Sequence, residues 1–326
     1  MTRAYRPVDL SKIKLISVQR RRHKAGIENV AKLPEVGATA AELFNSMPRF
    51  LGAQAFRNTV SAIAAAVRHQ RPVVLAFGAH VLKVGCGPVL IDLIRRGVVS
   101  AVAGNGATAI HDFELASLGE TSEEVADTIR DGTFGMVQET MEFFDAAAQF
   151  AARNKIGLGE AVGRLLVERE TPHPEQSVFA AAALAGIPAS VHVALGTDTI
   201  HMSAKADGGA IGTASMHDFR LICDVVGNLG AAEGGSVGGV WLNVGSAVIL
   251  PEVFLKAVGI ARNLGVNLDA MTTANFDMIR HYRPHQNVVL RPVVPGFGHE
   301  VIGQHELILP LLRQAVIEKL ARPGDA

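Results

Sequence analysis

The sequence predicts a single α/β domain: a mainly parallel, Rossmann-like sheet, helices on both faces and an N-terminal extension. Three observations indicate this class. Short apolar segments that suit strands alternate with helical segments. The composition is 48% hydrophobic with 33 glycines and only 5% aromatic residues, which suits helices packed closely on a buried parallel sheet. No segment rich in proline, serine or charge divides the chain, so the domain is expected over residues 55–326, after an extension over residues 1–54.

The individual helices and strands are predicted from the spacing of apolar residues and from the proline and glycine residues that interrupt it. The first strong helical pattern opens at Phe56, repeats apolar residues at Val60, Ile63 and Val67, and stops at Pro72. The other expected helices are Pro88–Arg96, Thr133–Arg153, Leu158–Glu168, Ser177–Leu184, Met216–Leu229, Glu252–Leu264 and Glu306–Ala321. The expected strands are Val73–Phe77, Val98–Ala103, Ala189–Leu195, Gly239–Val244, Asn267–Thr273 and Asn287–Val293.

Charge and cysteine content limit the function classes. The 31 basic and 31 acidic groups cancel, whereas a nucleic-acid protein normally carries a basic excess. The basic run from Arg20 to Lys24 is interpreted as a solvated segment or an interface patch. Cys86 and Cys223 are too few for a disulfide framework or a metal quartet, so reduced cysteines and a cytoplasmic location are expected. The N-terminus lacks an apolar signal core, and no apolar run has membrane length.

Small and hydrogen-bonding residues follow the expected strands. Ligands of parallel α/β sheets bind outside the carboxyl ends of the strands, where small residues leave backbone N–H groups accessible. Five such ends in one chain favour a dinucleotide crevice, although glycines needed only for tight turns remain the alternative. No GxGxxG follows the first strand. The five ends are Gly78-Ala79-His80, Gly104-Asn105-Gly106-Ala107, Gly196-Thr197-Asp198-Thr199, Gly245-Ser246-Ala247 and Thr272-Thr273-Ala274-Asn275.

The order of these ends over residues 72–277 resembles deoxyhypusine synthase, an NAD-dependent enzyme that moves an aminobutyl group from spermidine to a lysine. The resemblance implies NAD as cofactor and a pocket completed by a second subunit, hence a homotetramer or dimer. The family's Pro-Glu-Ser, Ile-Pro and Ala-Leu-Thr-Asp-Gly segments are matched by 175–177, 187–188 and 194–198. The implied cofactor-binding residues are Gly78, His80, Gly104, Asn105, Gly106, Ala107, Asp198, Gly245, Ser246, Thr273 and Ala274.

One departure from the family concerns its chemistry. The synthase's catalytic lysine lies in a Trp-Gly-Lys motif near the C-terminus, whereas the only tryptophan here, Trp241, lies inside an expected strand. A lysine imine requires a lysine placed to attack, so true deoxyhypusine synthesis is not expected. Residues 104–119 also resemble the GNALAVHDIE segment of NAD-dependent ornithine cyclodeaminases. Both families oxidise an amine carbon with NAD and return the hydride.

Four side chains are the candidate catalytic residues. His111 and Asp112 follow the second strand end, where a helix is expected to begin, and Asp112 is alternatively a first-turn charge on the helix dipole. His201 follows Asp198 and is a candidate base near neutral pH. Glu252 is a candidate ammonium-binding carboxylate or, alternatively, an exposed i,i+4 partner of Lys256.

Other polar residues carry weaker hypotheses. Arg280 and Arg283 are candidates for clamping a carboxylate or phosphate, or for a subunit contact. His299 and His305 lack a metal-binding spacing, so no metal site is expected. Ser236 lies in a G-x-S-x-G string that precedes a strand, unlike a nucleophile elbow.

The sequence therefore predicts an NAD-binding enzyme that acts on an amine or amino acid by oxidation, C–N bond chemistry and hydride return. The alternatives are an NAD-dependent dehydrogenase with net hydride transfer and a non-catalytic NAD-binding protein.

Overall fold

The computed structural model describes residues 5–322 and contains one parallel sheet within them. Its six strands run in the order β3-β2-β1-β4-β5-β6, and every neighbouring pair is parallel. This confirms the predicted Rossmann-like class, and the order is that of doubly wound dinucleotide-binding sheets. The strands are β1 Val73–Phe77, β2 Ala101–Asn105, β3 Ala189–His192, β4 Val240–Val244, β5 Thr272–Asp277 and β6 Gly298–Ile302.

Helices surround the sheet and bury both of its faces. Alternate residues of β1 belong to two separate apolar clusters, with Leu75 and Phe77 in one and Val74 and Ala76 in the other. The helices are α1 Ala40–Ser46, α2 Leu51–Arg68, α3 His80–Lys83, α4 Gly87–Arg95, α5 Gly106–Leu118, α6 Val125–Asp131, α7 Gln138–Asn154, α8 Leu158–Glu168, α9 Val178–Ala185, α10 Gly208–Gly227, α11 Ile249–Asn263, α12 Tyr282–Pro284 and α13 His305–Ala321.

Two expected strands near the C-terminus are wrong. Asn287–Val293 is not a strand, because His285–Leu290 forms a π-helix whose Val288 is buried. A short apolar run does not distinguish a buried strand from a buried helical turn, and here the turn packs against α11. The sheet is instead completed by Gly298–Ile302, which is not among the expected strands.

The expected strand Asn267–Thr273 is displaced towards the C-terminus. The strand starts at Thr272 and ends at Asp277, and a turn precedes it in which Met271 N donates to the Leu268 carbonyl. Leu268 and Met271 are buried in the turn, which explains why the apolar pattern began early. Consequently, Thr273 and Ala274 lie near the start of β5 and not at its carboxyl end.

Capping residues set helix starts that periodicity missed. Helix α10 begins at Gly208 instead of Met216, because Asp207 accepts hydrogen bonds from the N–H groups of Gly209 and Ala210. Before α2 the chain has three short 3-10 turns and α1, all within the stretch expected as an extension. Among residues 5–322, no helix combines the length and apolar character that crossing a membrane requires.

Candidate functional site

The parallel sheet brings the carboxyl ends of all six strands to one edge. The strand order reverses direction between β1 and β4, the position where doubly wound folds bind ligands. Gly78 follows β1 and Gly245 follows β4, and a Cβ on Gly78 would overlap the Gly245 carbonyl oxygen. Gly78 N also donates to the Val244 carbonyl at 2.9 Å. These two glycines therefore permit close contact between the two chain segments at the crevice.

The N-terminus of α5 is built where β2 ends. Asn105 caps it, since its Oδ1 accepts a hydrogen bond from Thr108 N at 2.9 Å. Thr108 Oγ1 donates to the Phe77 carbonyl at 3.1 Å and so ties α5 to the end of β1. A Cβ on Gly104 would crowd Thr108 and Phe179, so this glycine is small for internal packing.

Asp198 lies directly on this helix N-terminus. Its carboxylate accepts from the backbone of Ala107, and a Cβ on Gly106 would overlap Asp198 Oδ2. Burial raises the pKa of Asp198, with His201 and neighbouring donors opposing the shift. The carboxylate thus occupies the position at a helix N-terminus where anions bind. Asp198 Oδ2 is buried without a hydrogen-bond partner among the described residues.

His201 is held beside Asp198 in a defined tautomer. Its Nδ1 accepts from Gly196 N at 3.1 Å and from Asp198 N at 3.2 Å. A ring nitrogen that accepts backbone N–H groups carries no proton, so the neutral ring bears its proton on Nε2. Nε2 is buried and meets no hydrogen-bond partner within residues 5–322. In this arrangement, His201 presents a donor to the site, not the base that the sequence suggested.

Asp112, one of the two candidate catalytic residues on α5, lies inside the protein. It is 0% exposed, and its carboxylate accepts from Ser177 Oγ at 2.5 Å, Val178 N at 2.7 Å and Phe179 N at 3.4 Å. Burial raises the pKa of Asp112 to about 7, and these three donors oppose the shift. Asp112 therefore caps α9, and the geometry favours a positioning role over contact with a ligand.

His111 contacts two side chains that are close to it in the sequence. Its Nδ1 lies 2.6 Å from Thr121 Oγ1 and 3.5 Å from Glu114 Oε2. The side chain is 14% exposed. Thr121 also donates to Glu114, so the three side chains form one closed group on α5 and the turn after it.

Polar side chains on β4 and β5 form a second group, in which Asn243 is the member that the sequence did not indicate. Asn243 and Asn275 are paired in register and 0% exposed, and Asn243 Nδ2 donates to Asn275 Oδ1 at 2.8 Å and to the Ser246 carbonyl at 3.0 Å. Ser246, an expected ligand contact, also accepts from Leu250 N at the start of α11. Thr273 Oγ1 donates to the Val288 carbonyl at 2.6 Å, in keeping with its place away from the strand end.

His80 and His305 come together at the crevice. Their ring centroids are 5.5 Å apart, and His305 is 0% exposed. His305 Nε2 donates to the Phe276 carbonyl at 3.3 Å, while its buried Nδ1 has no partner in the described part of the chain. Burial lowers the pKa of His305. A Cβ on Gly245 would press against this ring. The sequence indicated His305 only as a possible metal ligand, because its neighbours in space, His80, Gly245 and Phe276, are distant in the chain.

Glu252 is engaged in a local charge cluster. It pairs with Lys256 one turn along α11, with Arg283 Nε at 3.2 Å, and with Asn287 Nδ2 at 3.0 Å. Hydrogen bonding to Lys256 lowers the pKa of Glu252 against weak desolvation. Glu252 also borders an open cavity of about 280 Å³ together with His192. Arg283, a candidate for an anion clamp or a subunit contact, is thus already paired, and Arg280, the other candidate, is paired with Glu300 at 2.5 Å.

The same fold recurs in solved proteins. A structure of AgrE with ornithine and NAD⁺ matches with a TM-score of 0.51 and 15% identity, over 82% of this chain and 34% of that chain. An AgrE variant with L-arginine matches with a TM-score of 0.52 and 14% identity, over 82% and 32%. A protein from Entamoeba histolytica, to which deoxyhypusine synthase identity is ascribed, matches with 0.50 and 12% identity, over 86% and 94%.

The fold is shared with an NAD-bound protein. At these identities the likeness concerns the fold, and the chain spans about a third of the length of AgrE. No protein-family model matches the chain, and no curated protein matches it by sequence.

The residues at the crevice fit a dinucleotide in chemical type. Asp198 Oδ2 is an acceptor and His201 Nε2 is a donor, the types of group that ribose hydroxyls require, whereas N–H groups at the start of α5 are already bonded to Asn105 and Asp198. The glycines at the strand ends are weaker evidence for a bound ligand than the sequence suggested. Gly78, Gly104, Gly106 and Gly245 each have a contact within the protein that accounts for their size.

Proposed function

We propose that the protein binds NAD at the carboxyl ends of β1, β2 and β4 and acts on an amine or amino acid. The observation that carries this proposal is the pair Asp198 and His201 at the N-terminus of α5. Both are held by backbone groups, and each presents one buried polar atom without a protein partner among residues 5–322. A buried polar atom costs free energy unless it is hydrogen-bonded, so a ligand that bonds both atoms gains affinity.

The proposed roles follow from the atoms that remain available. Asp198 Oδ2 accepts from a ribose hydroxyl or from the substrate ammonium. His201 Nε2 donates to an oxygen of the bound molecule and fixes its orientation. Gly78, Gly106 and Ser246 provide backbone at the strand ends. NAD, when bound, supplies a reversible hydride acceptor for the carbon that carries the substrate nitrogen.

The proposed chemistry is not aminobutyl transfer to a protein lysine. Trp241 is fully buried in β4 and stacks on Phe254 at 4.3 Å, so it is a core residue and not part of a Trp-Gly-Lys motif. Lys83, Lys205 and Lys256, three lysines that could be considered for an imine, are all exposed. An oxidised amine carbon is electrophilic, and water, the substrate's own second amine or a small amine acceptor is left to intercept it.

The solved neighbours support the substrate class within this proposal. AgrE is solved with ornithine and NAD⁺, and with L-arginine. The proposal further includes a homo-oligomer and a cytoplasmic location, where the two cysteines, which are unpaired in the structure, would stay reduced.

Binding and turnover test the proposal separately. Calorimetric titration with NAD should give saturable binding, and absence of binding would refute it. Incubation with NAD and a panel of basic amino acids and polyamines, analysed by mass spectrometry and by NADH absorbance, then separates the reaction classes. Deamination or cyclisation with only transient NADH is expected. Stoichiometric NADH accumulation would identify a dehydrogenase, and NAD binding without turnover would identify a non-catalytic protein.

A further inference from the structure

The N-terminal arm, residues 5–36, exposes an unusual amount of apolar surface. Eleven of its large apolar side chains are more than half exposed, among them Leu15 at 86%, Ile27 at 89% and Leu33 at 93%. No residue of the arm is buried. A contiguous exposed apolar segment of this kind marks an interaction surface.

The arm also carries a strong charge. It contains eight Lys or Arg and three Asp or Glu, so the rest of the neutral chain has five more acidic than basic groups. Among the described residues, no acidic side chain forms an ion pair with any of these eight cations. The arm therefore offers unpaired positive charge between exposed apolar side chains.

A surface of opposite character lies around α6. This acidic patch, residues 118–139, contains six Asp or Glu and a single cation, Arg130. Four apolar side chains are exposed within it: Leu118 at 57%, Val125 at 46%, Ile129 at 59% and Met136 at 53%. Within residues 5–322, no cation pairs with its carboxylates. Arm and patch thus match in charge and in exposed apolar content.

We propose that the N-terminal arm of one copy of this chain binds the acidic patch of a second copy. The arm does not fold back on its own body. The side-chain and backbone hydrogen bonds of residues 5–24 stay within that segment, while Lys32 N donates to the Ser46 carbonyl and Arg49 N to the Asn29 carbonyl, which anchors the arm's base. In a two-fold dimer the contact occurs twice, once in each direction.

The patch adjoins the candidate site but is separate from its ligand-binding atoms. A Cβ on Gly135 would overlap Thr199, which lies between Asp198 and His201. The proposed contact depends on the charge and exposure of the two surfaces, so it is independent of NAD binding.

Charge exchange between copies tests the proposal. Reversing three arm charges (Arg20→Glu, Arg21→Glu, Arg22→Glu) or two patch charges (Glu120→Lys, Asp127→Lys) should weaken self-association about ten-fold or more, measured by sedimentation at about 0.1 M salt. All five positions are exposed, so folding should be retained and circular dichroism checks this. A matched control reverses Arg153 and Glu168, which are exposed and lie outside both surfaces.

Mixing the two defective variants provides the decisive measurement. In a mixed dimer each altered surface meets its complement, so equimolar mixing should restore association to within about three-fold of the original. A monomeric wild-type protein, unchanged association in both variants, or no recovery on mixing would overturn the proposal. Loss of binding to RNA or to anionic vesicles without loss of self-association would overturn it in favour of those partners.

Discussion

The N-termini of α9 and α5 each hold a carboxylate from another part of the chain, and they differ in what is left unbonded. On α9, Asp112 is fully buried, and both of its oxygens accept hydrogen bonds from Ser177, Val178 or Phe179. On α5, Asp198 is partly exposed and its Oδ2 remains without a partner in the described part of the chain. A saturated carboxylate can only stabilise the fold, whereas an unsaturated one beside a crevice can also bind a ligand.

A third carboxylate shows that an unbonded oxygen is informative only beside the crevice, because Asp218 Oδ1 is also buried without a hydrogen-bond partner in the described part of the chain. Asp218 on α10 is 0% exposed and accepts from Gly159 N at 3.0 Å and Val191 N at 2.9 Å. It therefore holds the start of α8 and the outer edge of β3 together, and burial raises its pKa to about 7. No local sequence pattern distinguishes Asp218, because its partners are distant in the chain.

The largest expected effect is a difference in the free energy of unfolding between variants at the N-termini of α9 and α5. Asp112→Ala leaves three buried donors unsatisfied and should lower the free energy of unfolding by about 3 kcal/mol or more. Asp198→Ala removes a partly exposed cap and should cost only about 1 kcal/mol. Urea unfolding followed by circular dichroism measures both. Equal losses in the two variants would contradict the distinction.

The next effect concerns NAD. Asp198→Asn keeps the shape of the side chain and removes its charge, and we expect the affinity for NAD to fall about ten-fold, as loss of a charged hydrogen bond implies. Asp207→Asn, an equivalent change at the exposed cap of α10, is the control and should leave affinity unchanged. Calorimetric titration measures both, and equal affinities in all three proteins would remove Asp198 from the site.

A pH series sharpens the account of Asp112. Its folded pKa of about 7 exceeds the unfolded value of 3.8, so the folded state binds more protons between these values and its stability falls as pH rises through that range. His192 opposes this trend. Burial lowers its pKa to about 4, so its contribution to the free energy of unfolding increases as pH rises. The pH dependence of stability in the wild-type protein is therefore compared with that of the Asp112→Asn variant.

The wild-type protein should lose about 2–3 kcal/mol relative to Asp112→Asn between pH 5 and pH 7.5, measured by urea unfolding. A constant difference would show that Asp112 is ionised throughout, with the α9 donors outweighing burial.

The smallest expected effect concerns His201. Asparagine can replace the Nδ1 acceptor, whereas glutamine can extend an amide donor towards the Nε2 position. If Nε2 donates to the ligand, His201→Gln should retain NAD or substrate affinity within about three-fold, and His201→Asn should lose somewhat more. The reverse order, measured by the same titrations, would show that the contacts of Nδ1 with Gly196 and Asp198 matter more than donation.

Much of the architecture could be predicted from the sequence, for local reasons. Apolar runs such as Val73–Phe77 and Val240–Val244 end at glycine, and helices with strong periodicity separate them, so the parallel sheet follows. The predictions failed where a short apolar run lacked periodicity, as at Asn287–Val293, because burial of Val288 in a π-helix and in a strand leaves the same pattern.

The sequence predicted a candidate site at the strand ends, and the structure adds how each polar side chain there is bonded. The sequence by itself determined that small and polar residues gather at the strand ends, since strand ends and parallel pairing are encoded by local pattern. Only the tertiary structure decided that Asp112 is saturated by α9, that Asp198 lies on α5 with a free oxygen, and that His305 meets His80. Hydrogen-bond saturation depends on partners far apart in the chain, and no local pattern contains that information.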